Sequence, residues 1–237
     1  MKILEKFQNI FFKARMSINA FLGLPAQTGR ERGLYRKIFD IMGGRGNLDI
    51  FEWGSGFSTV YYAQYLRKRG IIFTWDAIDN NNSWAEKVRG MIVKRGLKNS
   101  VSIHVKEFPA FWEKPGWDWS VLPPACGKFS PKLQEELAYI AMPGSLGRRF
   151  DIVFIDARFR RHCLKVAKEI LKPCGIIVMH DAQKQHYHEG MADLTFSKFF
   201  NGGAWVPFVR LLNKVWLGSF DNKDILGQLV QWEQGEE

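Results

Sequence analysis

The residues of this chain that could do chemistry are acids and one histidine, and they stand at the ends of apolar runs. Glu52 closes Leu48–Trp53, Asp79 follows Ile71–Ile78, and Glu107 stands just past Val101–Val105. Asp156, with Arg158 and Arg160 behind it, follows Phe150–Ile155, and His180 with Asp181 follows Ile176–Met179. Carboxylates at such positions can hold a cationic group or a diol. A histidine with an ordinary pKa near neutrality can accept a proton from a hydroxyl that is to react. Asp156 or Asp181 could orient that histidine or serve as the base instead. Arg158 and Arg160 carry planar donor forks suited to a carboxylate or phosphate on a substrate.

Five acids and a histidine form one site only if the elements bring them together. The runs that precede them read as buried strands, and the stretches between read as helices. Between the first strand and its helix lies Gly54-Ser55-Gly56. The glycines allow a sharp turn and close approach of a ligand. The following helix, Ser58 to Arg69, aims its free N–H groups into the same crevice. Strand, glycine turn and helix suit a nucleotide-like ligand at the switch point of a parallel sheet. Asp79 stands where a ribose diol is gripped. After Asp79 and Asn80, Ser83 and Glu86 form a capping-box pattern that opens a helix to about Lys94. Trp84, in its first turn, either stacks on a base or joins the core. Further on, a helix runs from the Arg158–Arg161 segment to Leu171 and stops at Lys172–Gly175. Another helix is expected over Tyr187–Phe200, and two strands, Ala204–Leu212 and Val215–Phe220, flank an Asn213-Lys214 turn. This alternation predicts an α/β fold with a doubly wound, mostly parallel seven-stranded sheet and a C-terminal antiparallel hairpin. Ligands bind such sheets at the carboxyl ends of the strands, where all the acids named above would converge.

A nicotinamide dinucleotide fingerprint would need a third glycine near Ser58 or Thr59, and there is none. The turn is instead E-x-G-x-G, with the acid first. It resembles motif I of the class I S-adenosylmethionine-dependent methyltransferases, and Asp79 resembles their ribose-binding acid. The resemblance implies a Rossmann-like methyltransferase fold and S-adenosylmethionine as cofactor. It places Glu52, Gly54, Ser55, Gly56, Ser58, Asp79, Asn80, Trp84, Glu107 and Asp156 on the cofactor side. His180, Asp181, Asp156 and Arg158 are left as catalytic candidates facing an acceptor. The segment F-I-D-A-R-F-R and the later V-M-H-D-A-Q resemble small bacterial methyltransferase-like proteins with D-G-R-F-R, Ala157 standing in place of that glycine. More distantly, I-D-A and H-D followed by F-S-K resemble the glucuronoxylan O-methyltransferases, which act on a uronic acid of a polysaccharide. The implied acceptor is an acidic small molecule or saccharide. Catechol-type O-methyltransferases bind a divalent metal through an Asp-Asn pair. Here that pair is replaced by Asp181-Ala182, which argues against a metal.

Composition sets the outer bounds. The chain has 237 residues, 46% of them hydrophobic, enough for one large α/β domain. No stretch approaches the ~18 uninterrupted apolar residues of a membrane span. Three cysteines without CxxC spacing suit a reducing, cytoplasmic setting. The formal charge of +10 favours anionic partners, and keeps an RNA-directed methyltransferase as the alternative class. A non-catalytic S-adenosylmethionine-binding module is the other alternative. A nucleobase N-methyltransferase would carry a Pro-Pro-aromatic motif after the fourth strand, where this chain has Asp156-Ala157-Arg158. Pro173-Cys174 sits at the wrong end of its strand for an RNA cytosine methyltransferase. Residues 1–22 place apolar side chains at helical spacing among lysines and arginines. This segment could lie peripherally on a membrane, or pack on its own domain or a partner. Residues 1–33 thus read as an amphipathic helix and linker ahead of a methyltransferase domain over 34–237. Residues 108–149 read as a Trp- and Pro-rich insertion within that domain, a lid or recognition element. The sequence carries no sign of an oligomeric state.

Overall fold

The computed structural model describes residues 19, 23–107, 138–188, 190–206 and 209–235. The amphipathic segment 1–22, apart from Asn19, and most of the 108–149 insertion lie outside the described residues.

The core is a seven-stranded sheet flanked by helices. Along the chain come α1 (Gly29–Gly43), β1 (Leu48–Trp53), α2 (Phe57–Lys68), β2 (Phe73–Asp79), α3 (Asn82–Lys94) and β3 (Val101–Val105). Then follow β4 (Phe150–Ile155), α4 (Arg160–Ile170), β5 (Leu171–Met179), β6 (Phe196–Val206), β7 (Val209–Ser219) and α5 (Lys223–Gly235). The sheet order is β3-β2-β1-β4-β5-β7-β6. The first five strands are parallel, and β7 runs antiparallel to both β5 and β6. The order reverses between β1 and β4, and the carboxyl ends of β1 to β5 share one edge.

Strand periodicity decides which side chains meet. Leu48, Ile50, Trp75, Ile152, Phe154, Ile176 and Val178 face α1, α2, α3 and α5 and form one buried cluster. Phe51, Trp53, Ile78, Val153, Ile155, Ile177 and Met179 form a second cluster on the opposite face, against α4. Trp75 and Phe154 stack across the first face with ring centroids 5.7 Å apart, a contact worth ~0.5–1.5 kcal/mol beyond its area. Because successive side chains alternate, Glu52, Asp79, Asp156 and His180 extend the first face and not the second. They sit at its upper edge, beneath α1 and α2.

Several expected boundaries move. Residues 24–33 were expected as linker, but α1 starts at Gly29. Thr28 is its N-cap, accepting from the Glu31 N–H at 3.0 Å, while Glu31 accepts from the Thr28 N–H at 2.7 Å. The cap of α3 is Asn81, not Ser83: its Oδ1 accepts from the Trp84 N–H at 3.0 Å. Asparagine caps as well as serine, and Glu86 pairs instead with Arg89 at 2.5 Å. Helix α4 ends as expected just before Lys172, at Ile170, but Lys172–Gly175 already belongs to β5, as an irregular opening with Cys174 at φ 59 and a register shift against β4.

The expected helix over Tyr187–Phe200 is absent. Short 3-10 turns cover Gln185–Tyr187 and Met191–Asp193, separated by Gly190 in the left-handed region, and β6 begins at Phe196. Phe200 packs in the first cluster and Phe199 against the second, the period of a strand and not of a helix. Asn213-Lys214 is no turn. It lies inside β7, opposite the irregular Asn201–Ala204 stretch of β6. Helix α5 was not foreseen; it buries Ile225, Leu226 and Leu229. No helix among the described residues is long and apolar enough to cross a membrane.

Candidate functional site

The glycine turn holds its shape for identifiable reasons. Gly54 has φ 95, and a Cβ there would lie 2.4 Å from the Asp156 carbonyl oxygen. Only glycine fits where β1 and β4 approach so closely. Gly56 is different: its backbone is extended, and a Cβ would meet nothing nearer than Trp84 at 3.8 Å. The space above Gly56 is therefore open to a ligand. Asp79 braces the turn from the side. Its Oδ2 accepts from the Ser55 N–H at 3.1 Å and the Ser55 hydroxyl at 2.9 Å, and its Oδ1 accepts from the Asn81 N–H at 2.9 Å. Trp84 closes the far side, donating from Nε1 to the Ser55 carbonyl at 2.7 Å and meeting Phe57 edge-on. Asn80 is partly exposed beside it. Glu107 accepts from the Asn82 N–H at 3.3 Å across the tips of β2 and β3.

Glu52 is buried at the centre. It accepts from the Thr59 hydroxyl at 2.7 Å, the Trp75 indole N–H at 3.2 Å and the Ser58 hydroxyl at 3.4 Å. Thr59 in turn accepts from the Gly56 N–H at 3.0 Å, so one hydroxyl ties the carboxyl to the head of α2. Among the described residues no cation pairs with Glu52. Burial pushes its pKa up to about 8, with the Asp156 carboxylate adding to the rise and the hydroxyl and indole donors opposing it.

The tips of β4 and β5 carry a tighter charge cluster. His180 Nδ1 lies 3.1 Å from Asp156 Oδ1, and His180 Nε2 lies 3.0 Å from Glu31 Oε1. A carboxylate oxygen can only accept, so both ring nitrogens donate and the ring is an imidazolium. Burial alone would lower the His180 pKa, but Asp156, Glu31 and Asp181 together hold it well above the ordinary value. His180 and Arg160 in turn hold Asp156 far below the usual carboxylate range, against the opposing effect of burial. Arg160 donates to Asp156 at 3.0 Å, to the Ala157 carbonyl at 3.0 Å and to the His180 carbonyl. Its guanidinium also lies over the Tyr187 ring, 5.4 Å from the centroid. Asp181 is the looser member, 3.7 Å from both Arg160 and His180, and its backbone is left-handed at φ 53. Arg158 is partly exposed in the turn before α4.

The expected residues therefore come together as two adjoining groups on one sheet edge. Glu52, the glycine turn, Ser58, Asp79, Asn80, Trp84 and Glu107 form the β1–β3 half. Asp156, Arg158, His180 and Asp181 form the β4–β5 half. A pocket where the halves meet is lined by Gln27, Tyr35, Glu52, Tyr62, Asp156 and His180. Two expectations change. Arg160, read as a clamp for the acceptor, spends its donors inside the cluster. His180, read as the leading proton acceptor, has no free lone pair in this arrangement. Glu31 is missed because residues 24–33 read as linker, and Tyr35, just beyond them, is not among the expected site residues. The signal was present: Thr28-x-x-Glu31 is a capping box, and Glu31 extends the buried stripe of Leu34, Tyr35, Ile38 and Met42 by one turn. Among the described residues no group of three metal-ligating side chains gathers.

The residues of the β1–β3 half fit S-adenosylmethionine chemically. A buried carboxyl with no cation beside it suits a cationic group. The Asp79 carboxylate suits a diol, and the open face of Gly56 leaves room for the ligand backbone.

Comparison with known proteins agrees. Residues 51–182, more than half of the chain, match the family model described as a methyltransferase domain. The structure superposes on an O-methyltransferase from Bacillus cereus, solved in complex with S-adenosylhomocysteine, with a TM-score of 0.56 at 15% identity, covering 88% of this chain and 90% of that one. An O-methyltransferase from Streptomyces achromogenes involved in tomaymycin synthesis, solved with S-adenosylmethionine, gives a TM-score of 0.51 at 17% identity, covering 89% of each chain. At these identities the likeness speaks for a shared fold. No curated protein matches the chain. With the family model spanning the glycine turn and both strand-tip groups, the chain belongs to the methyltransferase domain family and is a class I S-adenosylmethionine-dependent methyltransferase.

Proposed function

We propose that this enzyme methylates an oxygen of an acidic small molecule or saccharide, bound over the tips of β4 and β5. The observation that carries the reading is the Asp156–His180–Asp181–Arg160 cluster, which shares a pocket edge with Glu52. Bound S-adenosylmethionine supplies an electrophilic methyl group on a sulfonium. On this reading Asp79 holds its ribose diol, Glu52 and the Gly54-Ser55-Gly56 backbone with Ser58 hold its amino-acid end, and Asn80, Trp84 and Glu107 border its base.

The residues of the chain do the remaining work. A rigid cluster contributes by aligning donor and acceptor. A hydroxyl acceptor must also lose a proton. His180 donates from both nitrogens, so this task passes to Asp181, whose 3.7 Å contacts leave acceptor capacity. A non-glycine residue held at positive φ beside a site fits such a role. Arg158, at the edge of the cluster, places the negative charge of the acceptor, and the net charge of +10 draws anions to the molecule.

The experiment is a screen for S-adenosylhomocysteine production with uronic acids, phosphorylated sugars, their neutral counterparts and RNA. Acidic acceptors should be turned over in preference to neutral ones. Arg158→Ala should raise the acceptor KM with little change in kcat. Equal turnover of neutral acceptors with no effect of Arg158→Ala refutes the acidic acceptor, and turnover of RNA alone moves the enzyme to another substrate class.

A further inference from the structure

The Glu31 side chain does two jobs at once. It is fully buried, and one carboxylate oxygen accepts from the Thr28 N–H at 2.7 Å as half of the capping box that starts α1. The other oxygen faces His180 Nε2 at 3.0 Å, across 149 positions of sequence. The capping box itself is anchored elsewhere, because the Thr28 hydroxyl donates to the Gly202 carbonyl on β6. One turn further along α1, Tyr35 lines the same pocket as Asp156 and His180. A capping acid needs neither full burial nor a second partner, since helix N-termini are satisfied equally well in solvent.

We propose that Glu31 is a positioning residue of the acceptor site, reaching it from the first turn of α1 and fixing His180 from the side opposite Asp156. The groups facing His180 are Glu31 and Tyr35 from α1, Asp156 from the tip of β4, Arg160 from α4, and Asp181 next to it in the chain. Glu52 lines the same pocket. Clamped between two carboxylates, the ring cannot rotate or exchange tautomers, and it presents a fixed positive charge to Asp156. Asp156 is thereby kept ionised and oriented, and the same ring lies 3.7 Å from Asp181, the proton acceptor of the proposed reaction. Helix α1 is then a wall of the active site and not only a cover for the sheet. The inference rests on the reading that the acceptor binds over β4 and β5, but its first test needs no acceptor.

Glu31→Gln separates the two jobs. Glutamine keeps the capping box by accepting from the Thr28 N–H through its one carbonyl oxygen, but its NH2 group then faces His180 Nε2, so both the negative charge and the acceptor for the ring are gone. The ring signals of His180 should be titrated by NMR in parent and variant, each saturated with S-adenosylhomocysteine. In the parent, His180 should stay doubly protonated well above the ordinary midpoint of ~6.5. In the variant its midpoint should fall by about one unit or more, with a matching loss of thermal stability below the parent midpoint, while S-adenosylhomocysteine affinity stays close to the parent value. With an acceptor in hand, kcat of the variant should drop about tenfold. The alkaline limb of its pH profile should move to lower pH, with the acceptor KM little changed. An ordinary His180 midpoint in the parent overturns the proposal, and this remains decisive even if Glu31→Gln fails to fold. So does a variant whose midpoint, or whose kcat profile, is that of the parent. Failure of the acceptor screen with the expected titration would instead count against the acceptor reading.

Discussion

Glu52 should couple cofactor binding to pH. Its carboxyl is buried without a cation, and its pKa is pushed up to about 8. One unit below that midpoint, at pH 7, about nine molecules in ten carry the proton. A ligand ammonium or sulfonium placed beside Glu52 favours the carboxylate, so binding should expel most of that proton, roughly 0.9 per site at pH 7. Affinity should then rise with pH by about tenfold per unit, ~1.4 kcal/mol, up to pH ~8 and level off above it. Titration calorimetry with S-adenosylhomocysteine, in two buffers of different ionisation heat, counts the released protons directly. Glu52→Gln cannot ionise, so it should bind with no proton release and lose this slope. The same group has a stability consequence with a definite sign. A carboxyl whose folded pKa is raised favours the fold most below its unfolded value and opposes it increasingly as pH rises from ~4.5 to ~8. Denaturant unfolding of the parent should therefore show a loss of stability across that window which Glu52→Gln lacks. Parent binding with no proton release, or a slope that survives in Glu52→Gln, refutes the placement of the cationic end of the cofactor at Glu52.

The two glycines of the turn should respond differently. Gly54→Ala puts a Cβ 2.4 Å from the Asp156 carbonyl at φ 95, which should destabilise by at least ~1–3 kcal/mol in urea denaturation. Gly56→Ala should fold with nearly parent stability and weaken only S-adenosylhomocysteine binding, since its Cβ meets nothing closer than 3.8 Å within the protein and points into the space left for the ligand. Arg160→Ala strips the buried donors from Asp156, Asp181 and the His180 carbonyl. Calorimetric unfolding should record a loss of about 3–5 kcal/mol, the cost of breaking a buried ion pair from one side.

Much of this was legible in the sequence where local rules and the tertiary fold agree. The five parallel strands read correctly because each is a short apolar run ending in a charge. Strand parity alone already puts Glu52, Asp156 and His180 on one face once Ile50, Ile152 and Ile176 are aligned. What stayed hidden depends on distant contacts. Glu31 sits in a stretch of turn-forming residues, and only the packing of α1 on Phe154 and Trp75, with Thr28 anchored to β6, turns its carboxylate toward His180. The double donation of His180 follows from two acids separated from it by 24 and 149 positions, which no local pattern reveals. The segment after His180 misled because Phe196, Phe199 and Phe200 fit a helical spacing as well as a strand with both faces covered. Asn213-Lys214 carries turn-forming chemistry but faces a glycine-containing irregularity of β6, where the neighbouring strand absorbs the distortion.

The central claim is that the β1–β2 tips hold S-adenosylmethionine through Asp79 and the glycine turn. Calorimetry of the full chain with S-adenosylmethionine, S-adenosylhomocysteine and NAD, repeated on Asp79→Ala, tests it most directly. Both S-adenosyl compounds should bind and NAD should not. Asp79→Ala should weaken binding by about 1–3 kcal/mol, through lost hydrogen bonds to a charged group and through release of the Ser55 turn it braces. Binding of NAD alone, or an Asp79→Ala variant with parent affinity for S-adenosylhomocysteine, contradicts the account.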